Sequence, residues 1–256
     1  MDNLSKALEH DRCVTIMQPH LSTPEGLFLP RLESSIQARL DNHTNSPSAI
    51  PMNLKLRWSI QIARSLSWLA RQNLFHGDLK PGNVLLDLHD NAILSDFGSC
   101  AKVGEYLQSG CGVYTFGWGK GGMDSEAYAY GWTVYDIFNG GHAADLDEAE
   151  EGAKVVFPCT QGMGAMGAVV RRCWNKEFNS LEALEEVVRS VYEKEQAQIE
   201  KENDVIAEER ARHEIEERKE GFRQRMEELY ISLKDSQGDE TTSINEKGMR
   251  PRATTA

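Results

Sequence analysis

Apolar residues recur along the first half of the chain in two distinct periods, and these periods predict its secondary structure. Over residues 54–74 they return every three or four positions, which is the spacing of a helix with one buried face. Two short apolar runs follow at 84–87 and 92–95, and residues 88–91 between them have the composition of a turn. The pattern predicts a helix that ends near residues 71–73, then a polar loop, then a β-hairpin.

The C-terminal part of the chain has a different pattern, which is dominated by charge. Residues 181–235 include 17 acidic and 10 basic side chains, a single glycine and no proline, and this composition favours a long helix. Glu185 stands four positions before Arg189, the spacing at which ion pairs stabilise a solvated helix surface. Residues 236–256 have no apolar period, and we expect a disordered tail there.

Some apolar residues of this charged helix fall on a seven-residue ladder, the spacing that coiled coils use. Gln198, Arg212 and Lys219 interrupt the ladder, whereas a stable coiled coil needs apolar residues over several heptads. We therefore expect a single or weakly paired helix, with a coiled-coil dimer, and hence self-association, as the alternative. The apolar members of the ladder are Leu184, Val191, Val205, Met226 and Leu233.

Composition narrows the classes of partner and compartment. The 256 residues carry a formal net charge of −12, which gives no basic face for nucleic acid or for an anionic membrane surface. No apolar run approaches the roughly 18 residues that span a bilayer, and the start of the chain lacks the apolar core of a signal peptide. The five cysteines are scattered without a C-x-x-C pair, which indicates reduced thiols. We expect a cytoplasmic protein, with the nucleus as the alternative compartment.

Polar residues around the predicted hairpin provide the candidate chemistry. Asp78 and Asn83 lie on the loop before the hairpin, and Asp96 follows it, 18 residues after Asp78. Because the hairpin folds the chain back, we expect these three side chains to converge at its open end. Carboxylate and amide oxygens suit Mg²⁺ shared with phosphate, a carboxylate not used by metal can accept a hydroxyl proton, and Lys80 can neutralise a transferred phosphoryl group. These are the groups that phosphoryl transfer needs.

Two strings give these residues a family resemblance. H-G-D-L-K-P-G-N at 76–83 and S-D-F-G at 95–98 resemble the catalytic loop and the metal-binding loop of the eukaryotic-type protein kinase family. The resemblance implies that Asp78 is the catalytic base and that Lys80 faces the phosphate, as in the Ser/Thr branch. It implies ATP and Mg²⁺ as cofactors, and a protein substrate or partner protein. The residues implied to bind the cofactors are Lys80, Asn83, Leu85 and Asp96, with Asn83 and Asp96 as the metal ligands and Leu85 as the floor of the adenine pocket.

The likeness extends over roughly residues 13–188. Residues 126–138 resemble the long buried helix of the kinase C-terminal lobe, 170–175 resemble a later helix, and 26–40 resemble the hinge strand and first helix. The string I-Q-I-A-x-S-L before the catalytic loop is similar to kinase-like proteins common in fungi. The implied fold is α+β and mainly α: a protein-kinase-like C-terminal lobe with a small catalytic β-hairpin, followed by a long charged helix.

The resemblance divides the chain into four parts. Residues 1–40 are expected to be a remnant of the N-terminal lobe with the hinge and first helix, and 41–188 the C-terminal lobe. The charged helix is expected at 189–235 and the disordered tail at 236–256.

Several features of the family are missing from the chain. No G-x-G-x-x-G loop and no V-A-I-K-like strand precede Asp78, so most of the N-terminal lobe is expected to be lacking, an appearance that an incomplete gene model would also give. Without that lobe the phosphate clamp is lost, which should weaken ATP binding. Gly77 stands where the family usually has Arg, Glu126 stands where it has Asp, and no A-P-E string occurs between Gly98 and Glu126.

Three functions from different classes remain. The first is a protein kinase that uses ATP and Mg²⁺ to phosphorylate Ser/Thr hydroxyls, with Asp78 as the base. The second is a catalytically impaired pseudokinase that acts as a scaffold. The third is a small-molecule phosphotransferase of the aminoglycoside or choline type, because H-G-D-x-x-x-x-N with D-F-G also fits that relative. Lys80, Pro81 and the R-C-W string at 172–174 favour the protein-kinase side.

Overall fold

The structure is a computed structural model, and it describes residues 12–23, 26–42, 50–107, 112–114, 119–140 and 156–242. The chain divides into two compact units, Met1–Ala197 and Gln198–Ala256. The described residues form five α-helices and seven short strands, so the predicted α+β, mainly α fold is confirmed. The helices are α1 (Ile36–Asp41), α2 (Met52–Arg71), α3 (Met123–Asn139), α4 (Ala165–Trp174) and α5 (Leu181–Thr242).

The strands form three small antiparallel sheets within the first unit. The predicted hairpin is present, with Val84 opposite Leu94 and Leu86 opposite Ala92, and Ser34 and Ser35 pair with its first strand. Two further antiparallel pairs join residues 21–23 with 26–28 and residues 74–75 with 101–102. The strands are β1 (Leu21–Thr23), β2 (Gly26–Phe28), β3 (Ser34–Ser35), β4 (Leu74–Phe75), β5 (Val84–Leu86), β6 (Ala92–Leu94) and β7 (Ala101–Lys102).

Helix α2 is the helix predicted from the apolar period of residues 54–74, and it ends at Arg71 as expected. Its apolar face lies in the core, where Trp58 and Leu69 are fully buried. Polar groups at the edge of this face hold the hairpin: Trp58 Nε1 donates to the carbonyl oxygen of Asp90 at 2.9 Å, and Gln61 Oε1 accepts from Ala92 N at 2.8 Å. The helix therefore fixes the position of the loop that follows it and of the hairpin beyond.

Helix α3 is buried on nearly all sides and forms the centre of the unit. Trp132 is fully buried, and its ring centroid lies 4.6 Å from that of Trp174 on α4. Gly131 allows this close packing, because a Cβ atom there would lie 3.0 Å from Cys173 Cβ and from the Trp174 ring. The first turn of α3 carries Glu126, whose carboxyl group reaches the loop between β4 and β5.

Helix α5 begins at Leu181, where the helix-favouring stretch 181–235 begins, which is earlier than the boundary expected at residue 189, and it ends later than residue 235. Its first turns belong to the first unit, because Leu181, Leu184 and Val188 are buried there. At the other end the helix continues through residues 236–242, where a disordered tail was predicted, so the prediction was wrong for these residues. The physical reason is that a helix, once formed, extends through polar residues at little cost in free energy when no proline stops it. Residues 243–256, the rest of the predicted tail, lie outside the described residues.

The portion of α5 in the second unit is exposed along its described length. Five large apolar side chains on it follow the alternating four- and three-residue spacing of a coiled-coil seam. Two of them belong to the predicted seven-residue ladder, and the other three fall on the neighbouring row, so the ladder captured the pattern only in part. Each is more than half exposed: Ile215, Phe222, Met226, Leu229 and Leu233. Within the described part of the chain, no helix is both long enough and apolar enough to cross a membrane.

The contact between α3 and α4 gives a test of the core packing. We expect Gly131→Ala to destabilise the first unit by about 1–3 kcal/mol, because the added methyl group overpacks against Cys173 and Trp174. The matched control is Gly221→Ala in α5, where nothing lies within 4 Å of the new Cβ, and this change should stabilise its helix by about 0.5–1 kcal/mol. Urea denaturation followed by tryptophan fluorescence and by far-UV circular dichroism measures both, and a stabilising Gly131→Ala would contradict the packing.

Candidate active site

The loop between β4 and β5 brings three of the predicted site residues into direct contact. The Nζ atom of Lys80 lies 3.1 Å from Asp78 Oδ1 and 2.9 Å from Asp78 Oδ2. The Nδ2 atom of Asn83 donates to Asp78 Oδ2 at 2.9 Å and to the carbonyl oxygen of Asp78 at 2.8 Å. One carboxylate is thus held by an ammonium and an amide, with Lys80 about one-third exposed and Asp78 more enclosed.

Asp96 stands beside this cluster, at the end of β6. Ser95 joins the two loops, because its N–H and its hydroxyl both donate to the carbonyl oxygen of Asn83, at 2.9 and 2.8 Å. Asp96 follows in the left-handed region, with φ of 59°, which aspartate tolerates better than most residues. Its side chain is exposed. The structure thus brings Asp78, Lys80 and Asn83 into contact, and places Asp96 next to the residue that binds Asn83.

The buried side chain of His76 hydrogen-bonds the backbone of this loop and that of the loop after β6. Its ring is fully buried, Nδ1 accepts from Asp78 N at 3.3 Å, and Nε2 lies 2.7 Å from the carbonyl oxygen of Ser95. Because Nδ1 accepts, the proton is assigned to Nε2, which donates to Ser95. Burial lowers the pKa of His76 although the Ser95 bond and two nearby carboxylates oppose the shift. The neutral imidazole ring therefore links the two loops through hydrogen bonds.

Glu126 on α3 anchors the backbone of the same loop. Its Oε1 accepts from Gly77 N at 2.7 Å, whereas its buried Oε2 has no hydrogen-bond partner among the described residues. Burial raises the pKa of Glu126 to about 7, although the hydrogen bond from the Gly77 backbone lowers it in part. The sequence showed this residue only as a departure from a family pattern, and its acidic type within an otherwise buried helix was the signal of its role.

Gly77 has a conformation and surroundings that exclude a side chain. Its φ is +78°, and a Cβ atom would lie 2.6 Å from the carbonyl oxygen of Ser99 and 2.8 Å from Leu107 Cδ2. The glycine that stands before Asp78 is therefore required by the close approach of the segment after β6.

Leu85, the predicted floor of the adenine pocket, lies at the centre of the three-stranded sheet. It is half-buried and pairs with Ile93 on one side and Ser35 on the other. Ile93 lines a cleft together with Met17 and Leu32, whereas Leu85 is not among the residues that line it. The role of Leu85 stays a prediction.

The donor set fits a magnesium ion that is shared with phosphate. The amide nitrogen of Asn83 donates its hydrogen bonds to Asp78, which leaves Asn83 Oδ1 as an uncharged oxygen ligand. The exposed Asp96 carboxylate is a second oxygen ligand. Among the described residues, no group of three or more His, Cys, Asp and Glu side chains could hold a metal by itself. Phosphate oxygens or water would have to complete the coordination, as is usual for Mg²⁺.

Comparison with known proteins agrees with this geometry. Residues 5–191 match the family model described as protein tyrosine and serine/threonine kinase, which covers most of the chain. The chain therefore belongs to the protein kinase family, whose members generally use ATP and Mg²⁺ and are phosphotransferases.

Individual relatives include both branches of the family. The chain is similar to the mitogen-activated protein kinase kinase kinase mlk-1 of Caenorhabditis elegans, with 34% identity over 85 residues, which are 33% of this chain and 8% of that protein. It is 28% identical over 163 residues to the receptor-like serine/threonine-protein kinase At1g78530 of Arabidopsis thaliana, over 58% and 45% of the two chains. It is 25% identical over 158 residues to the tyrosine-protein kinase receptor TYRO3 of Gallus gallus, over 52% and 17%. The chain spans less than half the length of these relatives.

The conformation of Gly77 gives a second test. We expect Gly77→Ala to destabilise the first unit by about 2 kcal/mol or more, because it adds a backbone clash to the strain of a left-handed residue. Gly104→Ala is the matched control: its φ of +79° is nearly the same, but nothing lies within 4 Å of the new Cβ, so only the strain of about 1–2 kcal/mol applies. Equal losses for the two variants in urea denaturation would show that the loop does not approach Ser99 closely.

The buried carboxyl group of Glu126 predicts a pH dependence of stability. Its pKa is raised on folding, from an ordinary 4.5 to about 7, so the folded state holds this proton more tightly. Its contribution to the free energy of unfolding is complete below pH 4.5 and is lost as the pH rises towards and through 7, by on the order of 3 kcal/mol. We expect wild type to lose this amount relative to Glu126→Gln between pH 4.5 and 8. The exposed Glu182→Gln control should follow wild type, and parallel curves for wild type and Glu126→Gln would contradict the burial of this group.

Proposed function

We propose that this chain carries the phosphotransfer centre of a serine/threonine protein kinase that uses ATP and Mg²⁺. The observation that carries the proposal is the contact of the Asp78 carboxylate with Lys80 and Asn83 on a loop whose backbone hydrogen-bonds to Glu126 and His76. A carboxylate fixed in this way can accept the proton of an attacking hydroxyl, which is the one acid–base step that phosphoryl transfer requires.

Each residue of the cluster has a part in this proposal. Asp78 orients the hydroxyl of the protein substrate and takes its proton. Lys80 is a flexible, partly exposed cation that can shift a donor from Asp78 to an oxygen of the transferred phosphoryl group. Asn83 Oδ1 and the Asp96 carboxylate would hold Mg²⁺, which supplies charge neutralisation at the phosphates when it is bound. Serine and threonine specificity is inferred from the lysine at position 80.

The alternatives are distinguished by what the chain binds and transfers. A pseudokinase scaffold is the second candidate, because the residues before Asp78 include no G-x-G-x-x-G loop that could hold the phosphates of ATP. A small-molecule phosphotransferase of the aminoglycoside or choline type is less favoured, because the matching family model is one of protein kinases.

Phosphate transfer from labelled ATP to a serine-containing protein substrate tests the proposal. We expect Asp78→Asn to lower kcat by about 10²- to 10⁴-fold, because the variant keeps the shape of the side chain but removes the base. Asp124→Asn is the matched control, an exposed aspartate on α3 that should leave kcat unchanged. Absence of ATP binding at millimolar nucleotide would contradict the kinase proposal and favour the pseudokinase scaffold. Phosphorylation of choline or an aminoglycoside without any phosphoprotein would establish the small-molecule phosphotransferase.

We also propose that the second unit self-associates through the apolar residues of α5. The exposed side chains from Ile215 to Leu233 follow the four–three spacing of a coiled-coil seam over fewer than three heptads, so the association should be weak. Sedimentation equilibrium of the full chain should show a dimer at high protein concentration that Phe222→Asp abolishes. Gln224→Asp, an exposed position off the seam, should leave the dimer intact, and a monomer at all concentrations would exclude self-association.

A further inference from the structure

A second cleft of the first unit is lined by an unusual excess of arginines. Four of them, Arg12, Arg64, Arg71 and Arg189, surround a cleft of about 390 Å³ that has the buried Trp68 in its wall. The cleft has no lining residue in common with the loop of Asp78. The chain as a whole is strongly acidic, so this concentration of positive charge does not follow from its composition.

Three separate segments bring these arginines together. Arg64, Trp68 and Arg71 are spaced by four and three positions along α2, which places them on one face of that helix. Arg189 comes from the first turns of α5, within the same compact unit. Arg12 comes from the segment before β1. The four arginines therefore line the cleft from three separate segments of the chain.

A single carboxylate, that of Glu185, lines the cleft and is shared by two of the arginines. Its Oε1 is hydrogen-bonded to Arg189 Nη2 and lies 4.0 Å from Arg64 Nε. Arg71 donates to the neutral hydroxyl of Ser67 at 3.0 Å, and neither it nor Arg12 forms an ion pair with a described residue. The described lining thus has four positive groups against one negative group, and this excess of positive charge favours the binding of an anion.

We propose that this cleft binds the phosphomonoester of a phosphorylated serine or threonine side chain in a partner protein. A phosphomonoester carries close to two negative charges on three acceptor oxygens, so it can bind guanidinium groups from several segments better than a planar carboxylate can. Val14, an apolar residue that is 83% exposed at the rim, offers a contact for the peptide on either side of the phosphate. An RNA would instead need basic sites in a row and exposed aromatic rings, whereas Trp68 is 2% exposed.

The test is the binding of a fluorescent phosphoserine peptide of neutral sequence to the full chain, measured by fluorescence anisotropy beside the same peptide with unmodified serine. We expect the phosphorylated peptide to bind at least tenfold more tightly, and binding to weaken as salt is raised. Arg64→Gln and Arg71→Gln should each weaken it by about tenfold, since each removes a charge-assisted hydrogen bond. Arg210→Gln, which removes the same charge from an exposed position in the other unit, should change it less than twofold.

Glu185→Gln separates a binding role from a structural one. The substitution keeps the shape of the side chain but releases Arg64 and Arg189 from their carboxylate, so phosphopeptide binding should become severalfold tighter. Asp78→Asn should bind the phosphopeptide as wild type does, which makes the outcome independent of catalysis. Equal binding of the two peptides, or weaker binding by Glu185→Gln while its circular dichroism spectrum is unchanged, would overturn the proposal. Equally tight binding of RNA would also overturn it.

Discussion

The carboxyl group of Glu126 connects the buried centre of the molecule to the loop that carries its chemistry. It lies in the first turn of α3, is only 1% exposed, and accepts a hydrogen bond from the backbone N–H of Gly77. Desolvation of a carboxyl group is unfavourable, and backbone donors offset only part of that cost. The position of Asp78, which follows Gly77, depends on this interaction because the loop has no regular strand or helix of its own at that point.

Further hydrogen bonds connect this loop to the other residues of the site. His76 links the backbone of Asp78 to that of Ser95, and Ser95 in turn donates twice to the carbonyl oxygen of Asn83. The loop before the hairpin and the loop after it are thereby fixed to one another at their backbones. The charged side chains of Lys80 and Asp96 are more accessible to solvent than the backbone groups that link the two loops.

The protein has two further surface features outside this site, a cluster of arginines and a row of apolar residues. Neither is indicated by the net charge of −12. The arginine-lined cleft collects residues that lie far apart in the sequence, from Arg12 to Arg189. The apolar residues of α5, from Ile215 to Leu233, lie within a helix that is otherwise highly charged. Both are local exceptions to the composition of the chain, and they are the basis of the two binding proposals made above.

Local pattern was sufficient to predict α2, the hairpin and the closeness of Asp78 to Asn83, because period and motif spacing act over a few residues. The end of α5 was placed too early, since a polar sequence does not by itself stop a helix. The anchoring by Glu126, the left-handed Gly77 against Ser99, and the arginine cleft required the tertiary structure. Each depends on contacts between residues distant in the chain, and burial alone decides whether a carboxyl group or a guanidinium meets water, a backbone N–H or another charge.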